Sequence, residues 1–224
     1  VGAIGLEAAR GAMKASNPRY GRYAGLLGVV LLVAIVVNSL LSHRSGLAGV
    51  LPGQRLPPFA VPLALSNLEG DADIATHADE GADGKVPACA ERGARVLNIC
   101  QLYEQGPVVL ALFVDAGGCT AVLREMQALV PEFPSVRFAA VAIRAERPQL
   151  RRLARSERLT LPVGVDEDGG VADRYKLYSC PQVDFAYRGG VVQSRALLAS
   201  PTLAGLRARV GELVAAARAR ERSA

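Results

Sequence analysis

Apolar and polar positions along the chain follow three rhythms, and each predicts a different kind of element. An unbroken apolar block, "AGLLGVVLLVAIVVNSLL", fills residues 24–41 without a charge, and Asn38 and Ser39 are its only polar side chains. At about 1.5 Å rise per residue such a block approaches the roughly 30 Å hydrocarbon thickness of a bilayer. Shorter apolar runs follow later, "GPVVLALFV" at 106–114, "VRFAAVAI" at 136–143 and "LPVGVD" at 161–166. Runs of this length predict strands buried on both faces. Between them apolar side chains return at helical spacing, in "TAVLREMQALV" at 120–130, "RPQLRRLARSER" at 147–158 and "GGVADRYKL" at 169–177. "QVDFAYRGGVVQSRAL" at 182–197 reads as two strands hinged at Gly189-Gly190, and Thr202 is placed to cap a last helix running to about Arg220.

The order β-α-β-α, a short strand and helix, then β-β-α predicts a three-layer α/β sandwich. Its polar surroundings divide the rest of the chain. "SGLAGVLPGQRLPPFAVPLA" has the Pro and Gly content of a linker that runs into an extended lead-in strand. Residues 66–88 hold six acids among Ala and Gly with almost nothing large and apolar, the composition of a solvated loop. The expected organisation is a basic N-terminal segment (1–23), a transmembrane anchor (24–42), a linker with lead-in strand and acidic loop (43–88), an α/β domain (89–215) and a basic tail (216–224).

Charge sharpens the membrane reading. Residues 1–44 carry Arg10, Lys14, Arg19, Arg22 and Arg44 against Glu7 alone, so this segment holds four of the five net positive charges. The remainder is nearly balanced, and no basic stripe interleaved with aromatics suggests nucleic acid as a partner. Four cations precede the apolar block and only Arg44 closely follows it. The positive-inside rule then puts the N-terminus in the cytoplasm and everything after the anchor outside, in a single-pass cell-membrane protein. All four cysteines fall in that exported part, where an oxidising environment lets thiols pair. Four cysteines connect in three ways, and spacing alone does not choose among them. The arginines of 147–158 read as a solvated helix face, or as a contact for lipid or an acidic partner. No metal site or prosthetic group is indicated.

The stretches "GQRLPPFAV" (53–61), "GPVVLALFVDAGGCTAVLREMQAL" (106–129), "DEDGGVADRYKL" (166–177) and "CPQVDFAYRGGVV" (180–192) together resemble the redoxin branch of the thioredoxin-like superfamily. That branch includes membrane-tethered thiol-disulfide oxidoreductases and the peroxiredoxins. The spacing from Cys119 through Glu125-Met126 to Leu129 is the most specific part of the likeness. The resemblance implies a thioredoxin-like α/β/α sandwich with a mixed sheet. It also implies that Cys119 is delivered to a helix N-terminus, where unpaired N–H groups and the helix dipole favour thiolate. Pro181 matches the family's cis-proline, which lies beside that cysteine and leaves backbone free to grip a substrate, with Gly118 and Thr120 as the other expected substrate contacts.

The chain departs from the pattern in ways that matter for the chemistry. Val122 stands where a C-x-x-C motif has its second thiol, and Gly117-Gly118 replaces an aromatic approach in a chain without Trp. The strand before Cys119 contains no carboxylate to accept a proton; Asp115 comes just after it. A peroxiredoxin would need a hydroxyl residue three positions before the thiol, where this chain has Ala116, so peroxidase chemistry is disfavoured. In the fold that the resemblance implies, Cys180 faces Cys119 across the site, and the two form the expected redox couple. Cys89 and Cys100 are then the remaining pair, a structural staple. The function expected is an exoplasmic oxidoreductase acting on protein thiols or disulfides together with an unidentified redox partner. The alternative is a non-catalytic thioredoxin-like binding module held by two structural bridges.

Overall fold

A computed structural model describes residues 27–35, 49–68, 87–177, 179–197 and 202–223. The chain separates into two compact units, Val1–Leu47 and Ala48–Ala224. In the first, residues 27–35 are helical with every side chain exposed, while the rest of the 24–42 block expected to span a membrane lies outside the described residues. Among the described residues no helix is long and apolar enough to cross a membrane. Most of the acidic loop, residues 69–86, also lies outside them.

The second unit is built on a five-stranded sheet of β3 (Val108–Phe113), β4 (Arg137–Ile143), β5 (Val163–Asp166), β6 (Gln182–Ala186) and β7 (Val192–Leu197), in the order β5-β4-β3-β6-β7. Strands β3, β4 and β5 run parallel; β6 is antiparallel to β3, and β7 to β6. The sheet is mixed because two helical crossovers keep β3, β4 and β5 parallel, the next helical connection returns β6 antiparallel to β3, and a hairpin adds β7.

Alternation along β3 decides the layers, since successive strand side chains point to opposite faces. Val109, Ala111 and Phe113 enter one core, joined by Val122, Leu123 and Met126 of α2 (Ala121–Leu129), Leu150 and Ala154 of α3 (Arg147–Ser156), and Leu206, Val210 and Leu213 of α5 (Leu203–Ser223). Val108, Leu110 and Leu112 enter the other, with Ile99 and Cys100 of α1 (Ile99–Gln105) and Val171 and Tyr175 of α4 (Gly170–Tyr175). Every residue of β3 is buried, which is why its sequence is continuously apolar. The three-layer expectation holds.

Three features differ from the sequence reading. A small antiparallel sheet pairs β1 (Ala60–Pro62) with β2 (Val96–Asn98), and Leu63 bridges on to Gly164 of β5, so the folded unit begins well before residue 89. Between the staple cysteines lie a turn at Gly93 and then β2, and Cys100 is the second residue of α1. The Asn98 side chain accepts from the Gln101 amide to cap α1 and donates to the Ala88 and Glu91 carbonyls. A Cys89–Cys100 disulfide joins this helix to the preceding segment, with Cα atoms 5.4 Å apart. Closing so short a loop contributes about 3 kcal/mol in the chain-entropy treatment. The last difference is the tail: the helix expected to end at about Arg220 continues as α5 to Ser223 and takes in the basic residues up to Arg222.

The basic helix is less solvated than its composition suggests. Arg151 donates to the carbonyls of Ala64 and Ser66, and the Arg147 side chain, only 11% exposed, approaches Glu167 at 3.8 Å. These two guanidiniums tie α3 to its surroundings, which removes them from the face that could meet lipid or an acidic partner. Thr202 acts as expected, its hydroxyl accepting from the Gly205 amide at 3.2 Å.

Candidate functional site

The site forms where the chain changes direction within the sheet. From β3 it moves outward to β4 and β5, then returns to lay β6 along the opposite edge of β3. In α/β sheets such a reversal opens a crevice at the carboxyl ends of the parallel strands. Two cysteines arrive there from opposite sides.

The first comes off β3. After Phe113 the chain leaves the core through Val114 and turns at the exposed residues Asp115 to Gly118. Gly117 takes φ +57, a left-handed conformation that a side chain would oppose. A single 3₁₀ turn, Gly117–Thr120, then leads into α2, which the buried side chains of Val122, Leu123 and Met126 fix against the sheet. Cys119 is therefore held at the front of a helix and is half-buried. Gly118 is exposed and Thr120 half-buried; Thr120 makes no capping bond. A Cβ placed on either Gly117 or Gly118 would meet no atom within 4 Å, so the approach to Cys119 is open.

The second comes from the segment before β6. Leu112 pairs with Gln182 in the β3–β6 ladder, and continuing that register by two residues sets Cys180 opposite Val114. The Val114 amide donates to Cys180 Sγ at 3.2 Å. Cys119 and Cys180 form a disulfide with Cα atoms 5.5 Å apart across 61 residues of sequence, within the roughly 4.4 to 6.8 Å that a disulfide needs. The Cys180-Pro181 peptide is cis, and Pro181 is buried immediately before β6. Val122, which stands where C-x-x-C has its second thiol, is fully buried in the core between α2 and the sheet. The sulfur that C-x-x-C would take from the next helical turn comes here from the segment leading into β6.

A match to the AhpC/TSA family spans residues 85–196, half of the chain, and takes in both cysteine pairs. The chain belongs to the AhpC/TSA family. Solved structures extend the likeness at the level of the fold. A candidate thiol:disulfide interchange protein DsbE from Chlorobium tepidum shares 15% identity over 75% of this chain and 98% of its own, with a TM-score of 0.55. A candidate protein disulfide isomerase from Bacteroides thetaiotaomicron shares 15% identity over 74% and 92%, with a TM-score of 0.53. The peroxidoxin BcpB from Mycobacterium tuberculosis shares 15% identity over 75% and 96%, with a TM-score of 0.51. No curated protein matches the chain. This AhpC/TSA member thus has the thioredoxin-like α/β fold with a mixed sheet, and fold alone is what identities so low establish.

One residue of chemical interest escaped the sequence reading. Asp184 in β6 is buried opposite Leu110 of β3. Gln182 Nε2 donates to its Oδ2 at 3.1 Å, while Oδ1 has no partner among the described residues. Burial pushes its carboxyl up to about 6, against the opposing influence of the Gln182 bond and the Arg195 charge. Tyr175, whose hydroxyl donates to the Pro57 carbonyl at 2.8 Å, is pushed well above its ordinary value, chiefly by burial and secondly by the Asp184 charge. The available signal was an acid in mid-strand, flanked by Val183 and Phe185.

Proposed function

We propose that this chain is a membrane-tethered thiol-disulfide oxidoreductase whose working couple is Cys119 with Cys180. The observation that carries the reading is a disulfide between the front of a helix and the segment leading into β6, at the crevice where the sheet order reverses. In the reducing direction, the Cys119 thiolate attacks a substrate disulfide, forms a mixed disulfide and releases one substrate thiolate. The Cys180 thiol loses its proton and attacks the mixed disulfide at the Cys119 sulfur. That step restores the Cys119–Cys180 bond and releases the second substrate thiolate. Two electrons pass from the chain to the substrate, and the two protons given up by the chain's thiols end on the substrate's. The reverse sequence oxidises a substrate dithiol. A second dithiol or disulfide protein returns the couple to its starting state.

Each sulfur has a feature suited to its part. Cys119 has the open approach and the helix front, and Cys180 has a backbone amide that would support a thiolate. Pro181, Gly118 and Thr120 border the couple and are assigned to substrate contact. The competing reading, a binding module with two structural bridges, draws on Val122 in place of a second helical thiol. The reduction potential of the Cys119–Cys180 bond separates the two. We expect a value above about −300 mV, and a lower one would favour a structural bridge.

The tether rests on the apolar block 24–41 and its asymmetric flanking charge. Protease added outside intact cells is expected to digest residues 50–224. Protection of that region, with digestion only after lysis, would defeat the topology.

A further inference from the structure

A cleft of about 600 Å³ is lined in part by Val114, Ile143, Arg144, Asp173, Lys176 and Leu177. Its size is that of ordinary small-ligand sites. Val114 connects it to the redox couple, because the residue lines the cleft and its amide holds Cys180 Sγ. Leu177 stands three residues before Cys180 on the same segment. An occupant of the cleft would therefore contact Val114, the residue whose amide holds Cys180 Sγ.

Two of its residues hold unfavourable backbone conformations. Among the described residues only Arg144, Arg158 and Lys176 have positive φ without being glycine, and Arg144 (φ 50) and Lys176 (φ 48) both line this cleft. Lys176 ends α4 with φ 48 and ψ 53, a position that helices ordinarily give to Gly or Asn. Gly169 leaves room for the Arg144 guanidinium, since a Cβ there would lie 2.7 Å from Nε. Strained positions of this kind concentrate where a site needs the side chain. Here both strained residues bring cations to one cleft, against the single carboxylate of Asp173.

We infer that this cleft is a subsite for a carboxylate carried beside the disulfide or thiol of the substrate. Arg144 and Lys176 receive the carboxylate, the Val114 and Ile143 side chains form the apolar floor, and the reacting sulfur is thereby presented to Cys119 and Cys180. Asp173 limits the attraction to one net positive charge. The inference rests on the oxidoreductase reading for the chemistry that follows binding, but the binding preference can be measured without it. An acidic peptide and a small acidic thiol would supply the same carboxylate.

The test uses the full chain in neutral detergent micelles, reduced and freed of reductant. It is challenged with two synthetic peptides that carry an internal disulfide flanked by Glu in one and by Gln in the other. An exposed ion pair gives a factor of about 1.4 to 5. Two cations against one carboxylate are therefore expected to favour the Glu peptide by about fivefold in second-order rate constant, a preference that declines with added salt. The Glu-to-Gln ratio should fall to about one in the double variant Arg144→Asn/Lys176→Asn, whose asparagines tolerate left-handed backbone, and should rise in Asp173→Asn. Oxidised glutathione, a small carboxylate-bearing disulfide, should lose rate in the same double variant if the subsite also serves small thiols, and keep it if only peptides reach the cleft.

Binding of the same peptides with serine for both cysteines, followed by titration calorimetry, separates failures. Equal rates and equal binding for Glu and Gln peptides would overturn the subsite, whether or not exchange occurs. A Glu preference in serine-peptide binding without any exchange would uphold the subsite and overturn the oxidoreductase reading alone.

Discussion

Replacing Cys180 with serine should leave the chain linked covalently to its substrates, because the mixed disulfide on Cys119 would then have no internal thiol to resolve it. The reciprocal Cys119→Ser variant should trap several-fold less. Thiolate chemistry alone makes only part of that difference. Lowering a thiol pKa from about 8.5 to about 7 raises its thiolate fraction at neutral pH by about fifteenfold, yet intrinsic nucleophilicity falls with basicity, so the net rate gain is only about threefold. Access supplies the rest. Nothing stands within 4 Å of where side chains at Gly117 and Gly118 would begin, whereas Cys180 lies between the buried Pro181 and the Val114 amide that holds its sulfur. Non-reducing gels of cells expressing each variant give the measurement. More adducts through Cys180 than through Cys119 would reverse the assigned order of attack. No adducts from either variant, beside a working oxidoreductase trap, would favour the binding module.

What could be read from the sequence follows from how each part of the site is encoded. The front of α2 was legible because β3 is buried on both faces, so its unbroken apolar run stops abruptly at the loop carrying Cys119. Cys180 next to Pro181 was legible only through family likeness, since nothing local brings it to a residue 61 positions earlier. β2 and α1 were missed because three and seven residues are too few to display a period, and the Asn98 cap that organises them acts through carbonyls of a preceding turn. Arg147 and Arg151 looked like solvent-facing charge because a helical pattern records which face is apolar, not which carbonyls a long guanidinium reaches. The cleft was invisible for a related reason: Arg144 and Lys176 lie 32 positions apart, and their left-handed backbone has no signature in residue type.

Asp184 was hidden by strand alternation itself, and its environment gives the folded chain a pH-dependent stability between about pH 4 and pH 6. An acid between Val183 and Phe185 reads as the polar face of a half-exposed strand. In the sheet, however, β6 lies between β3 and β7, and Asp184 pairs with Leu110 on the face where Leu56, Phe59 and Tyr175 pack, so it is fully buried. The groups facing the carboxyl are Gln182 from its own strand, Arg195 across the β6–β7 pair, and Tyr175 from α4. Burial outweighs the hydrogen bond and the positive charge, and raises the carboxyl from 3.8 to about 6. Below about pH 4 the folded and unfolded chains both hold this proton, so the group contributes no penalty. Between about pH 4 and pH 6 the unfolded chain releases it while the folded chain retains it, and stability falls. Above the folded value the loss levels off at about 3 kcal/mol, the equivalent of roughly two pKa units. Asp184→Asn keeps the shape and a hydrogen-bonding oxygen without the charge. Urea unfolding of the disulfide-intact chain should therefore give variant and wild type similar stability at pH 4, and a variant more stable by about 2 to 3 kcal/mol at pH 7. A stability difference that does not change between those pH values would mean that Arg195 neutralises the buried carboxylate in full.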